Sequence, residues 1–122
     1  MLSVAFAVLA VAVLLGGALA VPYLRGGSAQ AAPWPVAALH GVIGITGLSG
    51  LVMALRGPPR GLDQGTVMFG AIAAALFALA ALAGLVILYM HRGRKRRAGS
   101  LIGLHATLAI SSFVVLAAYL FA

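Results

Sequence analysis

Four uninterrupted apolar runs, each about the length of a bilayer crossing, constrain this chain more than any other feature. They cover about Leu2–Leu24, Pro35–Leu55, Thr66–Tyr89 and Ser100–Phe121. A hydrocarbon core of about 30 Å needs roughly 20 apolar residues in a helix. In lipid each backbone polar group must be satisfied within its own segment, which selects helices. No alternation of polar and apolar residues competes with that reading. Of the 122 residues, 64% are hydrophobic and only 7% charged, against about a quarter charged in soluble domains. The expected fold is therefore all-α: an integral membrane four-helix up-down bundle forming a single domain over residues 1–122.

Breakers separate the runs. "PWP" at Pro33–Pro35 precedes the second helix, with Pro35 suited to its first turn. "RGPPRGLDQG" at Arg56–Gly65 connects the second and third, with Thr66 as the expected N-cap. "RGRKRRAGS" at Arg92–Ser100 connects the third and fourth, with Ser100 as the cap. The first run reads as a true span, not a secretory signal, because no Lys or Arg precedes it and its apolar stretch is longer than a signal core.

The charge balance is +7, with eight Lys and Arg against Asp63 alone. Arg25, Arg92, Arg94, Lys95, Arg96 and Arg97 fall in the first and third connections, whereas Arg56 and Arg60 fall in the second. The positive-inside rule then places loops 25–34 and 90–99 in the cytoplasm and both termini outside. The same bias accounts for the basic charge through lipid headgroups, and no aromatic–basic interleaving suggests nucleic acid. Cysteine is absent, which removes thiolate metal sites and cysteine nucleophiles. No carboxylate lies in any span, so a proton-coupled exporter or a rotary-ring subunit lacks its embedded acid. Neither a hydrolytic triad nor a phosphate loop can be assembled. These absences point away from an independent catalyst and toward an electron-transfer or structural subunit.

The chemistry-bearing signal is a repeat. "LHGVIGITGLSGLVMAL" from Leu39 and "LHATLAISSFVVLAAYL" from Leu104 align His40 with His105, and Leu39, Ile45, Leu51 and Leu55 with identical residues. Small residues align too: Gly41 with Ala106, Gly44 with Ala109, Thr46 with Ser111 and Gly47 with Ser112. "YLR" at Tyr23 loosely echoes "YMH" at Tyr89, so the chain reads as two repeated helical hairpins. Both histidines then lie at one depth, about 7 Å inside their helices. In an up-down bundle those helices are diagonal partners. Gly44 and Gly47 lie above His40 on its face, with Ala109 and Ser112 in the same places for His105.

A flat macrocycle held between two imidazoles needs such a groove, and a pair of neutral imidazoles suits haem iron. His40 and His105 are accordingly the candidate metal ligands, with Gly44, Gly47 and Ala109 bordering the cofactor. Arg25 and Arg92 stand at the level where carboxylates would emerge. A competing reading takes the small residues as helix-packing contacts and the histidines as interhelical hydrogen bonds. His91 reads as an interfacial residue, and Trp34, Tyr23 and Tyr89 as an aromatic belt that could border a quinone.

With "LHG" at Leu39–Gly41, "LHA" at Leu104–Ala106 and the four-helix layout, the chain resembles the small membrane b-type cytochromes, nearest to the cytochrome b561-like group. That resemblance implies haem b bound by His40 and His105, with electrons passed between a quinol and another redox partner. The family typically carries two histidine pairs and two haems. This chain has no histidine toward the opposite face, which leaves one haem near the cytoplasmic surface, or none. "GLHATLAISSFVVLAAYL" from Gly103 is also similar to the last helix of uncharacterised small bacterial four-helix membrane proteins. That likeness implies the bacterial inner membrane. It also keeps a second expectation open: an accessory subunit, without a cofactor, of a larger respiratory or photosynthetic membrane complex.

Overall fold

The computed structural model describes residues 1–24, 33–92 and 99–122, the side chains of residues 22–24, 91 and 92 excepted. Among the described residues there are four helices: α1 (Leu2–Leu24), α2 (Trp34–Ala54), α3 (Phe69–Arg92) and α4 (Gly99–Phe121). No strand occurs among the described residues. By length and composition, all four helices are long and apolar enough to cross a membrane. Their outward faces are as apolar as their inward ones: Val4, Val11 and Leu14 of α1 and Leu79, Leu82 and Leu85 of α3 are exposed. A helix apolar on every side belongs in a protein core or in lipid.

The helix ends follow from local chemistry. Pro33 caps α2 in an extended conformation, and its carbonyl accepts from the N–H groups of Val36 and Ala37 at 2.9 and 3.1 Å. Pro35 sits in the first turn, where its missing donor costs nothing. Three helix starts differ from the sequence expectation, and α2 ends at Ala54 and α3 at Arg92 instead of Leu55 and Tyr89. α2 begins at Trp34. α4 begins at Gly99, so Ser100 is its second residue and not its cap. α3 begins at Phe69 because Thr66 is engaged elsewhere: its N–H and hydroxyl both donate back to the Gly61 carbonyl, at 2.9 and 3.5 Å. Gly61 takes a φ of 70°, and a Cβ there would run into the Thr66 hydroxyl.

Main packing pairs α1 with α2 and α3 with α4. Lesser contacts between α1 and α4 and between α2 and α3 close the ring, and α2 and α4 make no close backbone contact. Each main pair is antiparallel. Along α2, Gly50, Gly47 and His40 meet Ala5, Leu9 and Ala12 of α1 in turn. Along α4, Tyr119, Ser112 and His105 meet Gly70, Ala73 and Ala80 of α3.

The core lies in one half of the assembly: Leu2, Ala5, Leu9, Leu51, Ala73, Phe77, Leu116 and Tyr119. Phe6 stacks on Phe113 beside it at 4.7 Å. Buried Ser112 donates its hydroxyl to the Ala73 carbonyl at 2.6 Å, a kind of interhelical bond that in membranes contributes about 0.6 kcal/mol on average.

Buried positions recur. Leu2, Ala5, Leu9 and Ala12 of α1 correspond, 68 residues on, to Gly70, Ala73, Phe77 and Ala80 of α3, all buried. Gly47 and Leu51 of α2 correspond, 65 residues on, to Ser112 and Leu116 of α4, again all buried. The two offsets differ by three because the α1–α2 connection (25–33) is three residues longer than the α3–α4 connection (93–98). This register is two residues from the one suggested by the echo of Tyr23 in Tyr89.

Candidate functional site

His40 and His105 each stand six residues beyond the first residue of their helix, about 9 Å along the axis. Their rings meet across the assembly, with centroids 5.9 Å apart and planes at 83°. The equal depth and mutual facing expected of them are both present.

Each ring is held by the other helix of its own pair. His40 Nδ1 lies 3.0 Å from the Ala12 carbonyl oxygen, and His105 Nδ1 lies 2.7 Å from that of Ala80. A carbonyl only accepts, so Nδ1 must carry the proton in both bonds. In a neutral imidazole that leaves Nε2 as an unprotonated lone pair. Among the described residues neither Nε2 has a hydrogen-bond partner. Metal-binding histidines typically have this arrangement, with one nitrogen donating to the protein and the other free to ligate.

Glycines make the approach possible. A Cβ at Gly16 would lie 2.9 Å from His40 Cε1, and one at Gly84 would lie 3.2 Å from His105 Cε1. Gly16 and Gly84 stand one turn beyond the two accepting carbonyls and are themselves related by the 68-residue offset. Ala12, Gly16, Ala80 and Gly84 are not among the site residues expected from the sequence. Their signal is the pair of A-x-x-x-G spacings in "AVLLG" and "AALAG". In a chain with 16 glycines and many more alanines, that signal disappears among chance matches.

Packing changes at the level of the histidines. Among the described residues, none of 13–21, 33–46, 81–90 or 99–111 is buried. The half of the assembly from the histidines outward therefore has helices but no closed core.

The expected border residues divide. At Gly44 a Cβ would meet nothing within 4 Å, so its space is open. Gly47 is buried against α1, where a Cβ would lie 2.7 Å from Leu9 Cγ. Its smallness serves helix packing there, and Leu9 fills the groove expected above it. Ala109 is half-buried. Trp34 and Tyr89 are exposed. Arg25 lies outside the described residues. Arg92 ends α3, and its side chain and that of His91 lie outside the description, as does that of Tyr23. Two open hollows, of about 300 and 370 Å³, lie toward the other end, around Tyr119 and Met1 and around Val8 and Gly50.

No group of three or more His, Cys, Asp or Glu side chains that could hold a metal ion occurs among the described residues. No family model, curated protein or solved structure matches the chain.

Proposed function

We propose that the chain is a membrane b-type haem protein that takes part in electron transfer, with one haem held by His40 and His105. Its helices form an up-down-up-down bundle of two repeated hairpins in a bacterial inner membrane. The observation that carries this reading is the pair of imidazoles at one depth, each with Nδ1–H donated to a carbonyl and Nε2 without a partner among the described residues. The residues fit the group. His40 and His105 would hold the iron: they are two imidazoles whose ring centroids stand 5.9 Å apart, and imidazole is a ligand that haem iron takes.

The diagonal helices that carry the ligands make no close backbone contact, and Gly44 opens onto free space beside His40. A prosthetic group seated there would supply the apolar filling that the histidine half of the assembly lacks. When bound, haem supplies a one-electron couple whose potential is tuned by its axial ligands and their hydrogen bonds.

The chain's own part is to present two neutral imidazoles in fixed tautomers and to exclude water with the packed half. Arg25 and Arg92 are the proposed partners of the haem carboxylates, on the cytoplasmic side that the basic connections favour. A quinol is the proposed electron donor.

The test is a titration of the purified chain, in detergent or bilayer, with haemin. Saturation at one haem per chain with a low-spin spectrum is expected. Binding that never saturates, or that gives a high-spin spectrum, contradicts the proposal.

A second reading, an accessory subunit of a larger membrane complex, draws support from Gly17, Gly41, Gly44 and Gly103. A Cβ at any of these meets nothing within 4 Å, and small open positions are where membrane helices of a partner pack closely.

A further inference from the structure

We infer that Gly16 with the Ala12 carbonyl, and Gly84 with the Ala80 carbonyl, are two equivalent imidazole sockets that set the tautomer and rotation of His40 and His105. Gly16, Gly84 and the two carbonyls are thus positioning groups for the ligand pair. The inference deepens the haem reading, but its first readout needs no haem.

The socket has two walls. One is the acceptor: the Ala12 carbonyl oxygen lies 3.0 Å from His40 Nδ1, and the Ala80 oxygen lies 2.7 Å from His105 Nδ1. Within its helix each oxygen faces the N–H four residues on, that of Gly16 or Gly84. The second lone pair of the oxygen is free for the imidazole.

The other wall is the missing side chain. The Cε1 edge of His40 lies 2.9 Å from a would-be Cβ at Gly16, and that of His105 lies 3.2 Å from one at Gly84, a tight contact that requires the ring to give by a few tenths of an ångström. Real Cβ contacts essentially never fall below 3.0 Å, so an alanine at 16 must displace the ring or the helix. The ring is the softer of the two, and turning it about χ2 takes Nδ1 off the carbonyl. Without that acceptor either nitrogen can carry the proton, and Nε2 is no longer reserved as a lone pair.

Both hairpins have the same three parts at equivalent positions: Ala12, Gly16 and His40 in one, Ala80, Gly84 and His105 in the other. One socket could be an accident of packing. Two, at positions related by the repeat and with rings 5.9 Å apart, are a shared feature of both hairpins.

The neighbouring glycines serve as controls. Gly17 and Gly103 have nothing within 4 Å of a would-be Cβ, so alanine there alters helix propensity without touching a ring.

The experiment is nitrogen NMR of the full-length chain, labelled in its histidine rings and free of haem, at a pH well above the ordinary imidazole pKa of about 6.5. Expected is Nδ1–H at both His40 and His105. Gly16→Ala should disturb His40 alone, Gly84→Ala should disturb His105 alone, and Gly17→Ala and Gly103→Ala should disturb neither. In each socket variant the unaffected histidine reports that the chain is still folded. The same variants, given haemin, should bind it 10–100-fold more weakly, the usual cost of losing an outer-shell partner.

Nε2–H at both histidines in the parent chain, or ring signals unmoved by both socket substitutions, would overturn the inference. Sockets that behave as expected in a chain that takes up no haem uphold the inference and remove only the haem reading.

Discussion

Replacing either His40 or His105 by alanine is expected to abolish haem retention while all four helices remain in place. Among the described residues each imidazole makes one hydrogen bond, through Nδ1. Its loss costs about 1 kcal/mol, and the carbonyl left behind keeps its intrahelical partner. Neither histidine belongs to the buried core, which lies in the other half of the assembly.

The effect on the cofactor is of another order. Losing an outer-shell partner of a metal ligand lowers affinity by 10–100-fold, and losing the ligand itself must cost more, at least about 100-fold. Each single variant should therefore be colourless or high-spin after purification, with helix content unchanged by circular dichroism. Haem retained at the parent stoichiometry in both single variants would exclude ligation by this pair.

The second large effect is expected at the opposite end. Gly70→Leu should destabilise the fold by about 3 kcal/mol, the upper part of the usual overpacking range, without altering haem affinity in the molecules that stay folded. Gly70 is buried where three helices converge. A Cβ there would lie 2.5 Å from Leu55 Cδ2 and 2.8 Å from Tyr119 Cε1. Leu55 can withdraw its flexible end. The Tyr119 ring, 5% exposed and part of the core cluster, cannot move without opening that cluster. Ten residues of α3, about 15 Å, separate Gly70 from Ala80, so the histidine sockets should not sense the change. Denaturant titration of the variant checks the stability, and haemin titration of the same sample checks the site. A loss of haem affinity equal to that of the histidine variants would mean that the packed half and the ligand pair are one unit.

These two effects separate what was legible in the sequence from what was not. The helices were legible because a bilayer-length apolar run admits one backbone solution: α1 spans Leu2–Leu24 as read, and α2 and α4 begin one residue earlier than read. The start of α3 was misread because Thr66 has two possible uses. Its hydroxyl can cap a helix or close a loop, and the positive φ of Gly61, which no pattern reveals, selects the second. The histidine register was legible because histidine is rare here, so two in step stand out.

The sockets were hidden for the opposite reason. Alanine and glycine are so common that no pairing of them stands out, and a backbone carbonyl leaves no mark in a sequence. Gly47 shows the same ambiguity. Spacing alone placed it beside a cofactor, whereas Leu9 of the neighbouring helix occupies that space. A small residue announces that something comes close, not what it is.

The most direct test of the central claim is the absorption spectrum of the chain purified whole from its own membrane, recorded oxidised and then reduced. The proposal predicts the sharp reduced bands of a b-type haem, one haem per chain, absent from the His40→Ala and His105→Ala proteins. A colourless parent protein that also takes up no haemin would contradict it, and the paired histidines would then be hydrogen-bonding groups of the helix packing alone.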